Sequence, residues 1–536
     1  MTRASIPRWR RLLAVLLASL MCGGGVAPAY AQVRLPSLGE SASQDLSVGA
    51  ERRLGEQIMR EARRDPEYLD DPILLEYLQS LWYPLVAAAK QVGNIDADTE
   101  HAFAWEPFLV KDRSVNAFAL PGGFVGAHLG LIAITTTRDQ FASVLAHELT
   151  HVTQRHIARS IAPQATASLV AVAALLLGIL AAGRTGNVDV ANAAIMGGQG
   201  AAIQSQLNFS RDVEREADRI GFGLMEVAGY APAGMAAMFD KMDIASRLND
   251  NGGFPYLRSH PLTVDRISES RNRTLLDQGA PSLPTLEHAL MQMRARVLMD
   301  DSTQGLLRLS GSTSSPALAD RVAALYGAAL AATMLRDQAR AERQVALALQ
   351  LSQGAMPRDV RAERVLRLLQ AQVLINAGDA TGALTVLDAL DAPARPGLLL
   401  QAQAALLLQR SDSAAAAAPL RSSTESLQTW LAENKHDPAA WELLSATSDA
   451  LGLKLRSMRA AAEARASVGD LNGAIDRLRA AQSATRSATG QDFIEASVID
   501  ARLRQIGNQR RQLAAELRGD SGNRRPGPGD EPPPPQ

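Results

Sequence analysis

The chain has 536 residues, a formal net charge of −1, 46% hydrophobic residues and only 4% aromatic ones. That length supports two or three domains with full-sized cores. The near-neutral balance excludes general electrostatic attraction to nucleic acid or to an anionic membrane, and few aromatics with abundant alanine and leucine suit close-packed helices.

The N-terminus has the form of an export signal. Arg3, Arg8, Arg10 and Arg11 supply positive charge, Leu12 to Met21 an apolar core, and Ala29-Tyr30-Ala31 a small-x-small cleavage site, so maturation is expected before Gln32. The one cysteine, Cys22, lies inside this segment. Met21 stands before it where a lipoprotein signal wants a small residue, so the mature chain is expected to hold no cysteine and no disulfide. Together these features imply a bacterial periplasm. Residues 32–48 read as a polar linker. From Gly49 to Val92 the spacing is helical, with Leu54, Ile58 and Met59, then Ile73, Leu74, Leu78 and Leu81; Phe103 to Val110 reads as a strand.

Residues 114–125 are apolar, are broken by Pro121-Gly122-Gly123, and resume as Phe124 to Ile134. The pattern predicts a strand, a turn, and a second strand or helix start. A proline inside such a run argues for an edge strand. An edge strand can bind an extended peptide by strand addition; an ordinary hairpin fits the pattern equally well.

Thr137-Arg138-Asp139-Gln140 has the form of a capping box, and Phe141, Val144, Leu145 and Leu149 follow at roughly helical spacing until Pro163 ends the run. His147-Glu148-Leu149-Thr150-His151 then falls in mid-helix. Two histidines four apart share one helix face and can reach one metal ion. Zinc suits imidazole ligands, and Glu148 can take the proton of a water in the open position, the arrangement of a metalloprotease. Histidine is rare here, 8 of 536 residues, so chance is a poor account of the motif. His156, five further on, is rotated away and reads as a helix-surface or packing residue.

Residues 165–182 are apolar, and no charge occurs between Arg159 and Arg184. The length is borderline for a membrane span. One crossing would put ligands of the same metal on opposite sides of a bilayer, and polar residues 183–192 do not suit a hairpin of two spans. The segment reads as a lid or interfacial element over the site, with peripheral contact to a membrane surface, or as a plain buried helix. Downstream, Glu214 and Asp218 lie four apart on one face of an expected helix. A catalytic zinc wants a third protein ligand, and His₂Glu is a standard set, so Glu214 is the expected ligand, with Glu216 on another face as the runner-up. Asp218 is placed to accept a hydrogen bond from the far nitrogen of a ligating histidine, His147 by preference.

Three blocks carry a resemblance: Asn116 to Gly123, the metal helix ending Val152-Thr153-Gln154-Arg155-His156, and Glu214 to Gly221. Together they resemble metallopeptidase family 48, which includes the HtpX-like and CAAX prenyl proteases, and most nearly its periplasmic branch bearing tetratricopeptide repeats. The resemblance implies a zincin-type (gluzincin) protease domain with one zinc per chain, held by His147, His151 and Glu214, with Glu148 as catalytic base. It also implies unfolded or misassembled outer-membrane proteins as substrates, and an assembly machine as a partner of the repeats. Ser259-His260-Pro261 resembles a segment near the end of these domains, which makes His260 a candidate gate of the open metal position or a donor to the oxyanion; a loop histidine bonded to backbone is the plain alternative.

From about Leu286 the sequence turns helical, alanine-rich and repetitive. Gly378-Asp379-Ala380-Thr381-Gly382-Ala383 and Gly469-Asp470-Leu471-Asn472-Gly473-Ala474 echo each other and look like the tight turn between paired helices of a tetratricopeptide repeat; Asp437-Pro438 looks like another start. Such pairs stack into a solenoid whose concave face binds peptides or proteins. The expectation is thus an α+β, mostly α chain: signal 1–31, protease domain 49–275, repeats 286–518, and a disordered Pro-rich tail 519–536. The rival reading is a repeat-based chaperone or scaffold whose metal site stays shut.

Overall fold

The computed structural model describes residues 46–160, 211–248, 254–276, 281–311, 317–354, 357–390, 394–485 and 492–522. The expected signal, nearly all of the linker, the apolar segment 165–182 and the end of the tail lie outside these residues. Among the described residues no helix is long and apolar enough to cross a membrane.

The first helix, α1 (Val48–Ala62), starts at the end of the expected linker, where the Ser47 side chain accepts from the Ala50 N–H. A short strand β1 (Tyr68–Leu69) and helix α2 (Pro72–Gln91) follow, the latter capped by Asp71 with proline in its first turn. Then come α3 (Ala97–Ala102), β2 (Glu106–Val110), β3 (Ala117–Leu120), β4 (Phe124–His128) and α4 (Leu129–Ile134). The strand expected from Phe103 begins only at Glu106, because Phe103 caps α3. The strands form one sheet in the order β1-β2-β4-β3, with β2 and β4 parallel and the outer pairs antiparallel. β3 is therefore an edge strand, joined to β4 through the Pro121 turn. Gly122 and Gly123 hold φ of 77° and 89° there. A side chain on Gly55 of α1 would meet the Pro121 carbonyl oxygen at 1.9 Å, so α1 lies directly on this turn.

Helix α5 (Arg138–Thr153) is the centre of the first half. Every residue from Asp139 to Val152 is buried. α2, β3, α7 (Arg211–Val227) and α8 (Ala233–Leu248) all pack on it. Full burial of Phe141, Leu145 and Leu149 stabilises this core by about 2 kcal/mol per side chain. α5 ends earlier than expected. Thr153 is its last residue, Arg155 adopts φ 51°, and α6 (His156–Ser160) starts a new direction. His151 thus sits in the last turn, not in mid-helix. The short α9 (Tyr256–Ser259) and α10 (Val264–Leu276) complete this half.

The remainder is helical: α11 (Leu286–Leu298), α12 (Thr303–Gly311), α13 (Leu318–Met334), α14 (Gln338–Ser352), α15 (Val360–Ala377), α16 (Ala380–Asp388), α17 (Arg395–Ser411), α18 (Ser413–Glu433), α19 (Pro438–Ala450), α20 (Lys454–Ser467), α21 (Leu471–Ala484) and α22 (Asp492–Gly522). From α13 onward each helix packs on the next, and α13, α15, α17 and α19 also pack in sequence. α22 runs through Gly522, so the tail does not begin at Gly519 as expected. At the two echoing turns Gly378 and Gly469 hold φ of 84° and 79°, and Asp379 and Asp470 cap the next helix. Gly382 and Gly473 leave room for those capping carboxylates: a side chain there would meet the Asp oxygen at 2.2 and 2.3 Å. The small residues where the helices touch are Ala383 and Ala474, both fully buried.

The stack is fastened to α2 by arginines. Arg294 of α11 bonds Asp71 through two nitrogens at 2.7 Å, Arg364 of α15 pairs with Glu76, and Arg395 of α17 bridges Asp70 and Asp437. At the far end, Arg64 donates to the carbonyls of Val468 and Gly469 in the turn before α21.

Candidate metal centre

Four side chains converge in the first half. His147 and His151 come from α5, Glu214 from the first turn of α7, and His260 from the residue after α9. One nitrogen or oxygen of each lies within 4.8 Å of all the others, and all four residues are buried. His147 Nε2 is 3.0 Å from His151 Nε2 and 3.4 Å from Glu214 Oε2, and His151 Nε2 is 3.5 Å from Glu214 Oε1. Four ligands held tetrahedrally at zinc distances stand about 3.3 Å from one another. The spacings fit the edges of a coordination polyhedron.

The convergence follows from close helix packing. A side chain on Gly221 of α7 would come within 3.3 Å of the backbone of Ala146 and His147. The missing side chain lets α7 lie on α5, and Glu214, two turns earlier, faces the histidine pair. Asp218 Oδ1 lies 2.9 Å from His147 Nδ1. Arg266 of α10, only 3% exposed, grips Asp218 with Nε at 2.6 Å and Nη2 at 2.8 Å, and reaches Glu214 Oε2 with Nη1 at 2.8 Å. Sequence reasoning missed Arg266, because nothing in one sequence separates it from the other arginines of a charged helix.

The electrostatics favour a cation. Burial works against protonating His147, but Glu214 and Asp218 outweigh it and raise its pKa to about 10. Burial would raise Glu214 as well, yet His260 and His147 hold it far below the carboxylate range. His151 is pushed well below the usual histidine value, first by burial and then by His147 and His260. Among the described residues, Glu148, 1% exposed, has no hydrogen-bond partner at either carboxylate oxygen. A buried carboxylate without a donor is costly and marks a place meant for another group.

His260 lies against Glu148. Its Nε2 is 3.5 Å from Glu148 Oε1, and its Nδ1 is 2.9 Å from Glu214 Oε1 and 3.3 Å from His147 Nε2. It lies in the short connection between α9 and α10, and there it is buried. It caps α9, is 3% exposed, and stacks on Tyr256 with ring centroids 4.7 Å apart. Of the two alternatives for His156, helix surface or packing, the structure shows packing. The break at Arg155 turns it inward, 2% exposed, with Nδ1 2.9 Å from His151 Nδ1 and Nε2 3.3 Å from Glu216 Oε2. Glu216 lies behind His156, away from the four-residue cluster.

Two imidazoles, a carboxylate and an adjacent buried glutamate are the parts of a metal-dependent peptidase centre, and the chain belongs to peptidase family M48, whose profile matches residues 86–274. It is similar to the beta-barrel assembly-enhancing protease of Escherichia coli K12, at 30% identity over 93% of this chain and 96% of that protein. A Vibrio cholerae protein given the same name provisionally is 37% identical over 51% of this chain, an alignment spanning 54% of that relative. The mitochondrial metalloendopeptidase OMA1 of Schizosaccharomyces pombe is 28% identical over 47% of this chain and 69% of its own length.

Proposed function

We propose that the protein is a zinc-dependent endopeptidase of the bacterial periplasm that degrades misfolded or stalled outer-membrane proteins and assists the assembly of others. The observation that carries the catalytic part is the buried Glu148 carboxylate, without a hydrogen bond among the described residues, beside the cluster of four donors. His147, His151 and Glu214 would hold the zinc. Bound zinc supplies a Lewis acid that polarises the scissile carbonyl and lowers the pKa of water. Glu148 takes the proton of the attacking water and returns it to the leaving amine, the work of a positioned general base. Asp218 orients His147, and Arg266 keeps Asp218 ionised and pairs with Glu214. The edge of β3 that pairs with no other strand among the described residues, beside α5, can take an extended substrate as an added strand.

The substrate class rests on the names of the bacterial relatives, and the zincin-type domain and periplasmic address on the motif and the N-terminal residues. The helices from α13 onward are read as degenerate tetratricopeptide repeats that recruit substrates or an assembly machine. The position of His260 over Glu148 supports a gated site, shut at rest. A shut site also suits the reading in which the repeats act as a chaperone or scaffold. The deciding experiment is degradation of an unfolded model protein with zinc, comparing wild type, Glu148→Gln and His260→Ala. Cleavage by wild type and none by Glu148→Gln supports the peptidase and its base. Equal cleavage by both removes Glu148 from the mechanism. Unchanged activity and zinc coordination in His260→Ala removes the gate.

A further inference from the structure

Asp218 accounts for the outer nitrogen of His147. The outer nitrogen of His151 faces a second imidazole, with His156 Nδ1 2.9 Å from His151 Nδ1. Two ring nitrogens at that distance share one proton, one donating and the other accepting. His151 Nε2 is turned toward the other three donors and must offer a lone pair there. Its proton therefore sits on Nδ1, and His156 accepts. A neutral His156 then carries its own proton on Nε2, which faces Glu216 Oε2 at 3.3 Å.

Helical spacing does not produce this placement. Five residues along an unbroken helix, His156 would be turned about 140° from His151. The chain reaches it by ending α5 at Thr153 and putting Arg155 at φ 51°, a conformation unfavourable for a residue with a Cβ. Arg155 is held there by a 2.8 Å bond from its Nε to Glu51, itself 2% exposed, and by the Leu46 carbonyl. A filler for the space behind His151 needs neither the backbone cost nor aligned nitrogens.

We infer that His156 and Glu216 form a hydrogen-bonded relay that fixes the ring and tautomer of His151 and so sets how tightly the centre holds its metal. The inference rests on the metal-centre reading above. His156 is a positioning residue, since it acts through His151. The two histidine ligands are thus backed unequally. Behind His147 stands a carboxylate clamped by buried Arg266. Behind His151 stands a neutral ring leading to Glu216, whose side chain is 35% exposed with Arg159 at 3.7 Å.

The test is the zinc dissociation constant of the full-length protein, measured by competition with a chromogenic chelator. Wild type is compared with His156→Phe, His156→Gln and Glu216→Leu. Phenylalanine keeps the ring volume and removes both nitrogens, whereas glutamine can accept from His151 and donate to Glu216. His156→Phe should weaken zinc binding about 10- to 100-fold, while His156→Gln recovers most of the loss. Zinc binding by His156→Phe equal to wild type, or by His156→Gln as weak as by His156→Phe, overturns the relay. Should the Phe variant fail to fold, as read from the melting of the metal-free protein, Glu216→Leu, which removes the acceptor, decides: a rise in dissociation constant of about 10-fold or more supports the relay, and a smaller rise or none overturns it. Failure of the wild type itself to bind zinc overturns the metal-centre reading, a different result from wild-type binding with indifferent variants.

Discussion

Replacing Arg294 by methionine would leave Asp71 without its cation in a place closed to water. Arg294 is 1% exposed and also gives Tyr326 Oη a hydrogen bond of 2.8 Å. Asp71 is 8% exposed and accepts the Leu74 N–H at 2.8 Å as the cap of α2. Methionine keeps much of the apolar bulk, so the change isolates the charge. Removing one partner of a buried pair costs about 3–5 kcal/mol. The surviving cap bond moves the expectation to the low end, about 3 kcal/mol. The assay is urea unfolding of the full-length protein followed by tryptophan fluorescence, with Trp82 on α2 and Trp430 and Trp441 among the later helices. The transition reporting on α2 should fall by about 1 M urea. Asp71→Asn combined with Arg294→Met should recover at least half of the loss, since asparagine still caps and leaves no buried charge. A single variant as stable as wild type, or a double variant worse than the single, refutes the reasoning.

Gly221→Leu should push α7 off α5, destabilise the protein by about 1–3 kcal/mol, and weaken zinc binding more than a surface glycine change such as Gly223→Leu; equal effects of the two would refute the close-approach argument. His288, 1% exposed between Tyr77 Oη and the Thr135 carbonyl, has its pKa lowered to about 4 by burial. Its folded pKa lies below the unfolded one, so its contribution is full above about pH 6.5 and is lost as pH falls toward 4, at most about 3 kcal/mol. His288→Gln should flatten that acid limb in melting curves taken from pH 7 to 4. Asp470→Ala removes the cap of α21 and should cost about 1 kcal/mol, read in the transition of the later helices.

The sequence made the parts of the centre legible where local rules govern. A cap at Thr137, histidines four apart and a downstream helix with Glu214 and Asp218 on one face are all matters of helical period. The edge position of β3 followed from the proline beside it. What was not legible depends on the path of the chain between elements. The break after Thr153 has no proline or glycine at Arg155 to announce it, so His156 was assigned to the wrong face and the helix was extended to Pro163. Arg266 becomes meaningful only once α10 lies against α7. The glycines of the repeated turns were legible as turn residues, but not that Gly382 and Gly473 clear space for the capping carboxylates of Asp379 and Asp470.

The arginine clamps on α2 bear on the order in which the chain is made. Residues 46–276 carry every member of the metal centre and of the sheet, yet they do not contain the partners of the acidic residues at the start of α2. Asp71 waits for Arg294, Glu76 for Arg364 and Asp70 for Arg395, while Arg64 waits for a turn some four hundred residues later. A chain emerging from its N-terminus therefore assembles its chemistry early and finishes α2 late. A fragment ending near residue 276 keeps the hydrolytic parts but carries Asp71 with no counterion, so the isolated first half is inherently less stable than the same residues in the whole protein.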